Sequence, residues 1–389
     1  MRPSIIVFGI VWIIAACSKS SLPTYPAVSA AFGSNLNLQA LTDYAGQLKP
    51  AYVVKDNARG FVLDNAKATL GRVLFYDKNL SITNKVSCAS CHKQKFAFSD
   101  TAVISNGVEG GLTLRHSMRL VNIRFAMEPK MFWNERAANL EAQVVQPIQD
   151  HAEMGFSGQN GRPGLTVLLS KLSEIDYYKE LFRFVYGDEK VTEARIQEGL
   201  SHFVRSIQSF DSKYDAGRAV VPNDGAPFPN YTAQENQGKQ LFLTPPVFNA
   251  NGVRIGGGLG CNGCHNAPEF DIDPNSGNNG IIRFAVGNGL DLGNTRAPSL
   301  RDLVRPDGIL NGPMMHSGVF TSLQQVIGHY GNINIVPGNA VALDPRLRPG
   351  GVGQRLELNA AEVNAVEAFL RTLSGQRIYT DNRWGDPFL

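Results

Sequence analysis

Two short runs in this 389-residue chain share one pattern, Cys88-Ala89-Ser90-Cys91-His92 and Cys261-Asn262-Gly263-Cys264-His265. Closely spaced cysteines serve as redox dithiols, zinc ligands or attachment points for haem. A redox dithiol does not need the adjoining histidine, and one such motif ordinarily serves a domain. A zinc ion shared by both pairs would need ligands about 170 residues apart, far beyond ordinary zinc-module spacing. C-x-x-C-H is the c-type haem pattern: two thioether bonds fix the porphyrin edge and bring the next imidazole into register with the iron. One such motif arises by accident about once in a thousand chains of this composition, so two are not accidental. The expectation is two covalently bound haem c groups, held by Cys88, Cys91, His92, Cys261, Cys264 and His265.

The fifth cysteine, Cys17, follows a different logic. Arg2 gives a positive charge, and Ile5 to Ala16 form an apolar run too short to cross a membrane. The run ends Ile14-Ala15-Ala16-Cys17 and resembles a bacterial lipoprotein signal, in which the cysteine is lipidated. A plain secretory peptide is the alternative. Both readings put the mature protein outside the cytoplasm, the first of them in the periplasm, tethered to a membrane through Cys17. Covalent haem attachment belongs to the same compartment, and no cysteine is left for a disulfide. The composition, 43% hydrophobic and 18% charged, is that of a globular chain, and a net charge of +3 is too small to argue for nucleic acid.

The surroundings of the two motifs repeat. Gly71-Arg72-Val73-Leu74-Phe75 precedes the first and Gly238-Lys239-Gln240-Leu241-Phe242 the second, while Phe203 to Ile207 downstream answers Phe369 to Leu373. Helical stripes run through Leu63, Ala66, Leu70 and Leu74, through Ile196, Leu200, Phe203 and Ile207, and through Val363, Val366, Leu370 and Leu373. Thr232 with Glu235, and Asn359 with Glu362, read as capping boxes, and Gly375 as a helix stop. The expected fold is all-α: two haem domains in tandem with long irregular loops. The divisions are a signal (1–17), an N-terminal extension (18–60), a first domain (61–216), a Gly- and Pro-rich linker (217–230), a second domain (231–375) and a tail (376–389).

The iron ligands decide between an electron carrier and an enzyme, since an enzyme keeps one iron face open beside an acid or base. If Phe320 to Gly331 is helical, Leu323, Val326, Ile327 and Tyr330 share a face and His329 points away toward the surface. Tyr330 is then either an iron ligand or a core tyrosine. The run from Phe132 to Gly155 holds Trp133, Gln143 and Glu153, and Trp133 to Leu140 has the spacing of His316 to Leu323. A carboxylate near haem can move a proton between the two oxygens of peroxide.

The run "FWNERAANLEAQVVQPIQDHAEMG", with "CASCH", "CNGCH", "TRAPSLR" and "MMHSGVFTSL", resembles the bacterial di-haem cytochrome c peroxidases and their MauG-like relatives, from about Phe61 to Leu373. The resemblance implies two cytochrome c-like domains, with peroxide bound at the first haem and an electron-transfer haem in the second. It makes His92 and His265 proximal ligands, Gln143 and Glu153 a distal polar pair, Trp133 a relay between the haems, and Tyr330 the second haem's sixth ligand, as in the MauG-like branch. Some members place a histidine over the resting first haem. Val108 stands at that position here, which predicts an iron open in the fully ferric protein. Ser317 and His116 replace the residues linked to an interdomain calcium, which makes calcium a weak expectation. Surface or packing roles are expected for His116, His151 and His202, with His151 a secondary candidate for the pocket. Met154, Met314 and Met315 are expected to pack. The implied activity is reduction of hydrogen peroxide to water with electrons from a small cytochrome c or cupredoxin. The alternatives are MauG-like oxidation of a partner protein and a non-catalytic electron carrier.

Overall fold

The computed structural model describes residues 24–388 apart from 273, 294, 297, 337, 339 and 340, so the signal and Cys17 lie outside the described residues. The local capping chemistry works as the sequence implies. Asp64 accepts a hydrogen bond from the Lys67 N–H to start the helix Asn65–Tyr76, and Thr192 does the same for Glu193–Ser206. The capping boxes at Thr232 and Asn359 are both formed, opening the helices Ala233–Leu243 and Ala360–Arg371.

These four helices cross in two matching pairs. A Cβ on Gly71 would lie 1.9 Å from the Gly199 carbonyl oxygen, and one on Gly238 would lie 1.8 Å from that of Ala365. Neither crossing admits a side chain at that point, so both copies of the repeat keep glycine. Around the first pair Leu70, Leu74, Ile196, Leu200 and Phe203 form one core, and around the second Phe242, Phe270, Leu323, Val366 and Phe369 form another.

The chain is mostly helical, but the all-α expectation needs correction. Two short antiparallel hairpins flank the second motif, Pro246–Phe248 with Arg254–Gly257 and His265–Asn266 with Asp271–Ile272. Strands of two to four residues are too short to show alternation in a sequence. Gly375 is not a helix stop: the last helix ends at Arg371, and the Gly375 N–H donates to the Asp302 carboxylate at 2.8 Å. Leu63 is buried yet precedes its helix.

The stretches read as extension, linker and tail are packed. Val28, Phe32, Leu36, Leu38 and Tyr44 enter the first core from the N-terminal side, and Ile378 and Trp384 enter it from the C-terminal side. Phe228 lies in the second core. Among the described residues no helix is long and apolar enough to cross a membrane.

Candidate active site

The first motif begins as a one-turn helix, Cys88–Cys91, steadied by the Ser87 N–H donating to Ser90 Oγ at 3.0 Å. Both cysteines and His92 line a narrow slot of about 70 Å³, together with Gln143, Glu153 and Met154. The His92 Nδ1 lies 3.1 Å from the Phe98 carbonyl, the kind of backbone tie that orients a metal-binding imidazole. Burial pushes the Cys88 thiol up to about 12 and the Cys91 thiol to about 11. Such thiols are the opposite of an activated redox pair.

Gln143 comes from the short helix Leu140–Val144, capped by Asn139. Glu153 sits on the turn that follows, where Asp150 Oδ1 accepts the N–H groups of Ala152 and Glu153 at 2.8 and 3.0 Å. Glu153 is half-buried and lines the slot. Burial, helped by the charge of Asp150 and opposed by Arg136, raises its pKa to about 7.

The second motif lines a cavity of about 600 Å³ with Cys261, Cys264 and His265 on its wall. The helix Leu323–Gly331 turns Leu323, Val326, Ile327 and Tyr330 toward this cavity, as the stripe predicts. Burial raises the Tyr330 hydroxyl above its ordinary value. His329 departs from the surface expectation: it is half-buried, its Nε2 is 2.9 Å from the Asn279 carbonyl, and its ring packs on Phe320 and Tyr330. A helix pattern shows which face meets its own core, but not that a distant loop will cover the other face.

The two halves repeat the loop before each of these helices. Met131 bridges Ala137 and Met314 bridges Phe320; Phe132 and Met315 both have positive φ, as do Glu135 and Gly318; Asn139 and Ser322 cap the helices. Carried forward at the same spacing, Tyr330 corresponds to Pro147, which lines the first slot and has no donor atom on its side chain. The sequence analysis missed this pairing, although the spacing already noted would have reached it three residues past Val144. The repeat also brings Trp133 and His316 edge to face, with ring centroids 6.2 Å apart. Trp133 Nε1 donates to the His116 carbonyl at 2.7 Å, and the Trp133 carbonyl accepts from Thr295 and Arg296 at 3.0 and 2.9 Å. The indole is thus fixed between the halves, and it lines the second cavity.

The remaining candidates separate cleanly. His116 is buried beside the second cavity, with Nδ1 2.9 Å from the Ala102 carbonyl. His202 is buried, and its Nδ1 accepts from the Asp64 N–H at 3.0 Å. His151 is exposed, 3.0 Å from Ser157 Oγ, and does not line the slot. Met314 and Met315 line the second cavity as Met154 lines the first. Val108 is buried against the Glu153 turn, and Ser317 is buried.

Comparison with known proteins agrees with this arrangement. The sequence model of a family described as di-haem cytochrome c peroxidase matches residues 65–219. The chain is 28% identical over 322 residues to the methylamine utilization protein MauG of Methylophilus methylotrophus, covering 79% of this chain and 82% of that protein. It is 25% identical over 328 residues to the cytochrome c551 peroxidase of Nitrosomonas europaea, covering 80% of each. The solved structure of a MauG-like protein associated with microbial copper homeostasis aligns with a TM-score of 0.67 at 26% identity, over 88% of this chain and 99% of that one. The chain thus resembles the di-haem cytochrome c peroxidase and MauG-like family along most of its length, with that family's sequence model matched in the first part of the chain.

The residues suit the haems that this family implies. Each cavity is lined by the two cysteines of its motif, neither in a disulfide, and by the histidine that adjoins them. Burial holds His265 neutral, with a pKa of about 4. A neutral imidazole is the form that binds iron.

Proposed function

We propose that the chain is a peroxidase that reduces hydrogen peroxide to two waters, consuming two electrons and two protons. Its haems are attached through Cys88 and Cys91 and through Cys261 and Cys264, one in each of two tandem domains, with His92 and His265 as proximal ligands. Each bound haem supplies an iron that exchanges single electrons, and the first also offers an open face to peroxide. The chain's own residues handle the protons. The Glu153 carboxylate takes the proton from one peroxide oxygen and returns it to the other, which departs as water. The Gln143 amide donates a hydrogen bond to the bound substrate, and the enclosing slot keeps the bulk solvent from competing. Trp133 shortens the electron's path between the two sites, and a small cytochrome c or cupredoxin refills them. We place the protein in the periplasm, anchored through Cys17.

One observation carries this reading: an enclosed carboxyl with a pKa of about 7 shares one slot with a C-x-x-C-H motif. Removing a general acid–base group typically costs about 100- to 10,000-fold in rate. Glu153→Gln should lose peroxide turnover on that scale with both haems still attached. Unchanged turnover would refute the reading.

The position of Tyr330 on the second cavity, opposite Pro147 in the first, favours a second reading. A phenolate oxygen is a hard donor that favours oxidised iron and lowers its potential. A second site of that kind relays electrons poorly and holds oxidising equivalents well, which suits MauG-like oxidation of aromatic side chains on a partner protein. Steady-state turnover with a reduced cytochrome separates the two: fast turnover supports the peroxidase, and negligible turnover with a long-lived oxidised state supports the second reading.

A further inference from the structure

Glu153 stands on an irregular turn, and its geometry is set by a neighbouring loop, residues 106–112. Asn106 and Leu112 bridge the loop's ends, the Gly107 N–H donates to the Gly111 carbonyl at 2.8 Å, and the Gly111 N–H donates to the Val108 carbonyl at 2.9 Å. From this closed loop the Val108 N–H reaches the carbonyls of Ala152 and Glu153 together, at 3.1 and 3.0 Å. The Val108 side chain is 1% exposed and anchors the contact.

Two glycines make the approach possible. A Cβ on Gly107 would lie 1.9 Å from the Ala152 carbonyl oxygen and 2.8 Å from Glu153 Cα, and one on Gly111 would lie 2.4 Å from the same oxygen. Their φ angles, −97° and −58°, are open to any residue, so contact and not backbone torsion is what requires glycine. On the far side Arg162 donates to the His151 carbonyl and pairs with Glu109 at 2.8 Å, closing the contacts around the turn.

We propose that Gly107, Val108 and Gly111 form a fixed clamp that sets how far the Glu153 carboxyl reaches into the slot. They are positioning residues, and the inference rests on Glu153 being the proton carrier. A displacement of about 1 Å at a catalytic group can cost about 100-fold in rate.

The test uses the haem-loaded full chain. Gly107→Ala should lower kcat about 100-fold with both haems retained. It should also shift the acid limb of the pH profile toward the ordinary carboxylate range, because the displaced carboxyl meets water. Gly111→Ala, with the smaller overlap, should move both readouts the same way and serves if Gly107→Ala fails to fold. Gly187→Ala is the control for lost stability, since Gly187 ends the helix Asp176–Tyr186 at φ +80° with nothing within 4 Å. It should lower the melting temperature and leave kcat unchanged. An equal loss of kcat in Gly187→Ala, or an unmoved kcat and pH limb in both clamp variants, overturns the clamp. Glu153→Gln run alongside separates the failures: if it keeps full turnover, the proton-carrier reading falls and the clamp with it. If it loses turnover while the clamp variants do not, the clamp alone falls.

Discussion

At the scale of single residues, the enclosed carboxyl of Glu153 carries consequences beyond catalysis. Its pKa is about 7 in the folded chain, whereas an unfolded glutamate titrates near about 4.3. Between those values the folded state holds a proton that the unfolded state has released, so stability declines as pH rises from about 4 to about 7 and is level above. Glu153→Gln removes this term and should melt above the wild type at about pH 8, with no difference below about pH 4. Equal melting at the higher pH would show that the carboxyl is not enclosed. Turnover should run the opposite way in the wild type, rising with pH through about 7 as the proton-accepting form appears; a flat profile across that range argues against the role. Cys88, Cys91 and His92 were legible from the sequence because C-x-x-C-H spacing is a local pattern, while Gln143 and Glu153 were singled out by their place in the repeat and by the family resemblance. The raised pKa of Glu153 was not, because it comes from walls contributed by distant segments.

At the scale of elements, the duplicated helix crossing makes the sharpest prediction. Overpacking a tight contact typically costs about 1–3 kcal/mol, and more where backbone is the obstacle. Gly71→Ala and Gly238→Ala each press a methyl onto a carbonyl oxygen, so each should lower the unfolding free energy by at least that much, read as a lower denaturation midpoint. The control is Gly199→Ala, whose Cβ would meet nothing nearer than 3.4 Å, and it should cost less. Helix propensity alone would favour alanine at all three positions, so equal losses in all three would mean that the carbonyl contact is not what requires glycine. The sequence made these helices and their caps visible, since stripe and cap recur within a few residues. The hairpins beside the second motif stayed hidden because their pairing joins segments too short to carry a period.

At the scale of the whole molecule, the C-terminal segment is bound into the first core. Tyr76 Oη donates to the Trp384 carbonyl at 2.6 Å, Arg72 Nε donates to the Gly385 carbonyl at 2.6 Å, and Trp384 Nε1 donates to the Ser206 carbonyl at 3.1 Å. Trp384 is 3% exposed, and truncating a buried aromatic costs about 3–5 kcal/mol. Trp384→Ala should therefore destabilise the first core by that amount, read as a lower denaturant midpoint, while Phe388→Ala at the more exposed end of the segment should cost less. Sequence reading assigned these residues to a tail because nothing local in them names a partner some 300 positions earlier.

The strap at Trp384 also fixes an order of events during synthesis. Chains generally fold from the N-terminal domain forward as they leave the ribosome, yet here the helix Asn65–Tyr76 takes two of its partners from positions more than 300 residues later. Until positions 384 and 385 emerge, the Tyr76 hydroxyl and Arg72 Nε lack the carbonyls they bind in the finished protein. The first core is thus complete only once the Trp384 segment has joined it.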